Sequence, residues 1–331
     1  MITRFSYAAT IATLTVSLIA CGGGGSGGGG VSTGTLDLSV TDAPVDNAKM
    51  VLVQFTGVHV KPSEGEAFDI ALSGDSQTCQ DLLDGVDPSP SPDGEPTVRC
   101  IELKELQGTN SEPLLEGIEL SAGQYNWMRL DVDADRGTMD SIIVLKDESV
   151  ESLYVSSGDQ TGLKLNSGFT ILAGGSHDFV IDFDLRKSVN DPEAFADYHL
   201  KPALRLIDMS ESGNIVGTVE TSLLSTEGCN GDVNTGDGFA VYVYEGGEGT
   251  NIGEEGSEDA PLTSASISLN NDTAMWEYIV GYVPPGEYTV AFTCQAVDDS
   301  AEVPDDGIEF VESADSPVMV VADQDSTADF P

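Results

Sequence analysis

Three kinds of side chain in this chain could do chemistry: 57 Asp and Glu, three His and five Cys. Carboxylates work either in pairs, as the acid and base of glycoside hydrolysis, or in groups, as oxygen ligands of Ca²⁺. Spacing narrows the choice. Strand alternation over Gln124 to Asp133 puts Arg129, Asp131 and Asp133 on one face, and Asp135 keeps that parity if the strand extends. The run His177 to Leu185 repeats the pattern with Asp182 and Asp184, followed by Arg186. If the two faces adjoin, Asp131, Asp133, Asp135, Asp182 and Asp184 could hold a cation between strands. Otherwise they form a solvated sheet face with Arg to Asp pairs of at most about 1 kcal/mol each. The first run is not a calcium loop of the helix-loop-helix kind, because Arg136 stands at the required glycine and Ile142 at the bidentate Glu. The acidic stretch Glu245 to Asp259 is a second candidate for a cation, and reads first as a disordered, solvated insertion. His59, His177 and His199 lie far apart, with no His-Glu-x-x-His, Gly-x-Ser-x-Gly or Walker sequence to recruit them. The expectation is therefore a protein without catalysis, its alternative a carboxylate enzyme acting on extracellular polysaccharide.

The cysteines divide into one and four. Cys21 closes an apolar run with Leu18-Ile19-Ala20-Cys21, and one positive charge, Arg4, precedes that run. Ala8 to Leu18 is too short to span a bilayer, so it reads as the apolar core of an export signal. The arrangement resembles a bacterial lipoprotein signal. That resemblance implies removal of residues 1–20 and acylation of Cys21, with the chains holding the protein at a membrane at about 0.8 kcal/mol per buried CH₂. Gly22 in place of Asp leans toward the outer membrane. Residues 21–33 are then a Gly-rich tether, a flexible coil with an end-to-end distance of roughly 15–18 Å. In the oxidising compartment that export implies, Cys79, Cys100, Cys229 and Cys294 form an even set. Three pairings are open. Cys79 with Cys100 and Cys229 with Cys294 is expected, since each pair then stays within one expected domain, and the loops so closed would contribute about 3 and about 4 kcal/mol.

The elements that must carry these residues are strands. Leu36, Leu38 and Val40 alternate with polar residues before Asp42-Ala43-Pro44, and β-rich runs follow at Met50 to Val60, Val98 to Leu106, Gln124 to Asp133, Ser141 to Lys146, His177 to Leu185 and His199 to Asp208. Further strands are expected at Ile215 to Glu220, Phe239 to Tyr244, Ala265 to Leu269, Met275 to Val280, Glu287 to Cys294 and Val318 to Val321. Helical signals are scarce, the one weak case being Pro192 to Asp197. The expected fold is all-β, with two β-sandwich-like domains over 34–210 and 214–331.

Charge is distributed unevenly between them. The net charge is -44, and after Arg205 there are 26 acids and no Lys or Arg at all. Nucleic acid and anionic membrane surfaces are held mainly by Lys and Arg, so neither is an expected partner. Attachment to a membrane would come through the acyl chains, leaving a protein or glycan partner unspecified.

The first domain resembles a family known as domain of unknown function 4382. The resemblance rests on Thr35-Leu36-Asp37-Leu38-Ser39-Val40-Thr41-Asp42-Ala43-Pro44-Val45, Phe55-Thr56-Gly57-Val58, Ala122-Gly123-Gln124-Tyr125, Gly162-Leu163-Lys164-Leu165, Asp182-Phe183-Asp184-Leu185-Arg186-Lys187-Ser188-Val189 and Leu200-Lys201-Pro202-Ala203-Leu204-Arg205-Leu206. It implies an all-β extracytoplasmic domain with no assigned activity. In the second domain, Val283-Pro284-Pro285-Gly286-Glu287-Tyr288-Thr289-Val290 and Gly217-Thr218-Val219 resemble small transthyretin-like sandwiches found beside carboxypeptidases, which implies a structural or adhesive module.

Overall fold

A computed structural model describes residues 32–46, 48–73, 79, 82, 98–155, 162–190, 197–201 and 203–331. Cys21, the signal segment, most of the tether and the Pro-rich Asp87 to Gly94 stretch lie outside the described residues, as does most of Pro192 to Asp197.

Among the described residues the fold is all-β, with four sheets arranged as two β-sandwich-like domains. In the first sandwich one sheet orders its strands Leu204–Asp208, Ser176–Asp184, Thr33–Ala43 and Glu112–Ser121. The facing sheet is built on the 15-residue strand Ala48–Pro62, which pairs with Gly123–Asp133, Arg99–Glu102, Phe68–Ala71 and Ile142–Leu145. Alternation buries Leu36, Leu38, Val40, Phe179, Ile181 and Phe183 from one sheet against Val51, Val53, Phe55, Met128, Leu130 and Val132 from the other. The second sandwich places Ser268–Asn270, Met275–Val283, Gly213–Val219 and Asp325–Thr327 over a sheet centred on Ala240–Glu245 and Gly286–Thr293. Its core gathers Phe239, Trp276, Tyr278, Tyr288, Phe292 and Phe330.

Both expected disulfides are present. Cys79 joins Cys100 with Cα atoms 5.1 Å apart, and Cys229 joins Cys294 at 5.0 Å, each bond inside one sandwich.

One pairing sets up everything at the junction. Thr33–Ala43 and Ser176–Asp184 run parallel, with Thr41 opposite Asp182 and Ala43 opposite Asp184. The segments Asp42 to Asp46 and Asp182 to Arg186 therefore emerge side by side at the same end of the sheet, although about 140 residues separate them. Parallel pairing needs a crossover, and its partner is chosen by the whole intervening chain.

Several local expectations shift. The strand Glu112–Ser121 was not anticipated, because Glu112, Pro113, Glu116 and Gly117 break its alternation, yet it pairs along Thr33–Ala43 through two register shifts. The strand Ser176–Asp184 does not keep one wet face: from Phe179 to Asp184 every residue is buried, since the second sandwich covers the outer side of that sheet. The acidic stretch Glu245 to Asp259 is a folded loop, and Glu254 and Glu255 within it are buried. Backbone amides of Asp306 and Ile308 hold the Glu254 carboxylate, the latter at 2.6 Å. No helix among the described residues is long and apolar enough to cross a membrane.

Candidate functional site

The two sandwiches meet in a buried polar network. Its centre is Arg186, which follows the strand Ser176–Asp184 in a four-residue helical turn, Leu185–Ser188, capped by the Asp184 side chain accepting from the Lys187 amide. Arg186 is 6 % exposed, and its Nη2 lies 2.8 Å from Oδ2 of the equally buried Asp46. From the second sandwich the Tyr242 hydroxyl accepts from Arg186 Nη1 at 3.0 Å and donates to Asp299 Oδ2 at 2.8 Å. Asp299 also accepts from the Glu255 amide at 3.1 Å, and Asp46 accepts from the Gly238 amide at 3.2 Å. Lys187 bridges in the same way, with Nζ 2.9 Å from Asp184, 3.4 Å from Glu255 and donating to the Pro261 carbonyl at 2.6 Å.

Electrostatics follow from this burial. Desolvation disfavours a charge on Arg186, but Asp46, Tyr242 and Glu255 outweigh it and hold the guanidinium charged. Lys187 is kept charged likewise, with Asp184 and Glu255 outweighing its burial. The acids go the other way. Burial, with Asp184 adding to it, pushes the Glu255 carboxyl up to about 8. Burial also raises Asp299, and it raises Asp42 well above the usual carboxylate range, with Asp182, Asp184 and Glu102 adding like charge.

Around the network the contact is close. Val180 and Ile207 of the first sandwich pack on Tyr282 of the second, whose hydroxyl donates to the Thr109 carbonyl at 2.8 Å. Gly281 must be glycine here, since a Cβ would sit 2.0 Å from the Gly108 carbonyl oxygen. Lys146 with Asp237 at 2.9 Å and the exposed Lys201 with Glu302 at 2.6 Å complete the rim. Two spaces remain. A cleft of about 360 Å³ is lined by Val45, Asp46, Ile143, Arg186, Tyr198 and Asp299, among others. A cavity of about 30 Å³ is lined by Asp42, Asp182, Ser264 and Tyr282 with their neighbours.

The five aspartates expected to share a cation are not brought together. Asp131, Asp133 and Asp135 belong to Gly123–Asp133 and the turn after it, while Asp182 and Asp184 belong to Ser176–Asp184 in the other sheet. The two strands do not pair, because Gly123–Asp133 takes Ala48–Pro62 as its neighbour and Ser176–Asp184 takes Thr33–Ala43 and Leu204–Asp208. Asp131 instead lies 2.7 Å from His59 Nε2 and accepts from Arg129 Nε at 3.0 Å, while Asp69 meets the other ring nitrogen of His59. Asp135 is exposed. Asp182 accepts from Arg205 Nε at 3.0 Å, and Asp184 serves Lys187. Among the described residues no group of three or more His, Cys, Asp or Glu is placed to hold a metal ion.

The network residues Asp46, Tyr242 and Asp299 are not marked by the sequence, and Glu255 is marked only as part of the acidic stretch Glu245 to Asp259. One signal pointed to a pair such as Glu255 with Lys187: with no Lys or Arg after Arg205, any ion pair of the second sandwich must reach a base in the first.

Comparison with known proteins matches residues 33–202 to the family described as Domain of unknown function (DUF4382). No curated protein matches the chain. Among solved structures, a Bacteroides fragilis protein provisionally named as a cell adhesion protein is 9% identical, with 89% of this chain and 92% of that one covered at a TM-score of 0.20. The tip fimbrial protein Mfa3 from Porphyromonas gingivalis is 8% identical, with 88% and 91% covered at 0.20. A Eubacterium rectale carbohydrate-binding module of family 26, solved with maltoheptaose, is 10% identical, with 89% and 93% covered at 0.16.

Proposed function

The chain belongs to the DUF4382 family, and from that premise we propose that it is a lipid-anchored extracytoplasmic protein with a non-catalytic binding or structural role. What carries this reading is where the motif side chains go. Asp42, Asp46, Asp182, Asp184, Arg186 and Lys187 all come from the 35–45 and 182–189 blocks of the resemblance or directly beside them, and all are buried, Lys187 partly, at the contact with the second sandwich, where Asp46 and Arg186 also border the cleft of about 360 Å³. A group acting on substrate needs access and a free lone pair or proton, whereas Arg186 and Lys187 here are occupied by the protein's own carboxylates. In this reading the second sandwich is a transthyretin-like module seated on the first, so that the pair behaves as one body.

Location is supported by the disulfides. Two such bonds are at home where thiols are not kept reduced. The apolar run ending at Cys21 supplies the route, and the acyl chains on Cys21 supply the hold, at the outer membrane. A surface carrying a net charge of -44 stays solvated next to that membrane rather than lying on anionic lipid.

The anchor is tested by Cys21→Ser in the full-length protein, followed by fractionation and labelling with a fatty-acid analogue. The wild type is expected to take up label and sediment with membranes, and the variant to do neither. Equal sedimentation and labelling of the two would remove the anchor from the proposal.

A further inference from the structure

The junction holds more negative than positive charge. Six carboxylates, those of Asp42, Asp46, Asp182, Asp184, Glu255 and Asp299, are each less than 9 % exposed. They face three bases, Arg186, Lys187 and Arg205. Isolated charge in a dry interior is costly enough that such a surplus does not persist uncompensated. Either protons or a cation must neutralise it.

Their partners separate the six. Asp46, Asp182 and Asp184 have bases, Glu255 has Lys187 at 3.4 Å, and Asp299 accepts from Tyr242. Asp42 has no base, and neither of its carboxylate oxygens receives a hydrogen bond in bonding geometry; the Leu185 amide eases its charge only in part. It is 4 % exposed. The Ser264 hydroxyl from the second sandwich, 3 % exposed, is likewise without a partner. Both residues line the same cavity of about 30 Å³, which Asp182 also borders. A single water needs about 10–15 Å³ by this measure, so the space suits an ion with one or two waters and excludes a sugar or other organic ligand. The donors on hand are carboxylate and hydroxyl oxygens with the neighbouring main chain, the ligand set of a hard cation rather than of zinc.

We propose that a hard cation occupies this cavity between the two sandwiches, bound by Asp42 with Ser264 and neighbouring oxygens. It neutralises Asp42, which alone among the six has neither a basic partner nor a hydroxyl donor, and it draws ligands from both domains. Binding therefore favours the docked arrangement over any in which the sandwiches part. This site shares only Asp182 with the aspartate face expected from the sequence, and it rests on the orphaned oxygens rather than on a count of acids.

The test uses the full-length protein in detergent, stripped with chelator and dialysed. Thermal unfolding is followed with Na⁺, K⁺, Mg²⁺ or Ca²⁺ chloride at matched ionic strength, with choline chloride as the control for screening of the acidic surface. At least one cation is expected to raise Tm saturably above the choline control, and equilibrium dialysis is expected to count one ion more in the wild type than in Asp42→Asn. Apparent affinity should fall at least tenfold in Asp42→Asn and several-fold in Ser264→Ala, while the exposed Glu66→Gln keeps the wild-type response. Should all four cations act like choline, no ion is bound. A response that survives intact in Asp42→Asn sends the ion elsewhere and overturns the site. If Asp42→Asn does not fold, Ser264→Ala decides: an unchanged affinity there overturns the proposal as well. Asp42→Asn that is as stable as the wild type, with no cation response in either, means that a proton on Asp42 does the neutralising.

Discussion

The two sandwiches are built alike and charged differently. The first has 12 bases beyond the leader and pairs many of its acids internally, as in Arg205 with Asp182 and Arg99 with Glu112. The second has none, so its cohesion is left to the aromatic core, the disulfide and amides holding carboxylates, as at Glu254. Among the described residues each ion pair it makes, at Asp237, Glu255 and Glu302, is with a lysine of the first. A domain that can find its counter-ions only on a neighbour is bound to that neighbour by the same charges that keep its remaining surface wet. Burying such a network does not by itself make the fold more stable than apolar packing would, because desolvation offsets most of the Coulomb gain. What it supplies is geometry. The Arg186 guanidinium meets Asp46 and Tyr242 together in one docked arrangement.

The largest break in this comparison is expected from Arg186→Ala, which leaves Asp46 buried without its base. Loss of one partner of a buried pair costs about 3–5 kcal/mol, and the upper end applies because the Tyr242 bond goes with it. Urea unfolding should then resolve into two transitions, one per sandwich. A single transition with an unchanged midpoint would mean that the network does not couple them.

A smaller effect is expected from pH. The Glu255 carboxyl sits at about 8 in the fold against about 4.5 in an open chain, so its proton stabilises the native state fully below the open-chain value. That stability is lost as pH rises through the folded value. For a single site the loss between pH 7 and pH 9 is about 1 kcal/mol. Asp184, Lys187, Arg186 and Asp299 face this group, so the check is the difference between wild type and Glu255→Gln. The wild type should lose urea resistance over that range and the variant should lose less. Parallel curves would show that Glu255 does not titrate there.

The smallest effect belongs to Lys201→Ala. Its pair with Glu302 is about half exposed on both sides, so it contributes at most about 0.5 kcal/mol, and less in salt. A loss above 1 kcal/mol at 0.5 M NaCl would move the weight of the junction from its buried centre to its rim.

Strand content was legible where alternation is strict. Leu36, Leu38 and Val40, or Phe179, Ile181 and Phe183, point inward as their spacing requires. It was not legible in Glu112–Ser121, where charged and glycine residues interrupt the period and only the neighbouring strand makes it a strand. Disulfide partners were legible because each pair belongs to a single sandwich. The acidic loop misled, since composition alone cannot distinguish a carboxylate in water from one held by the amides of Asp306 and Ile308. The five-aspartate face failed for a related reason: alternation orients a side chain on its own strand but does not say which strand lies beside it.

By itself the chain determined one electrostatic rule of this protein, that no ion pair of its last 126 residues can avoid reaching back across Arg205, because that stretch contains no Lys or Arg. Which acids reach, and where, was decided by tertiary structure alone. The parallel pairing of Thr33–Ala43 with Ser176–Asp184 brings Asp46 beside Arg186, and the docking of the second sandwich delivers Tyr242, Glu255 and Asp299 to the same place. Such contacts join residues far apart in the chain, and no local period encodes the strand register and docking geometry that create them.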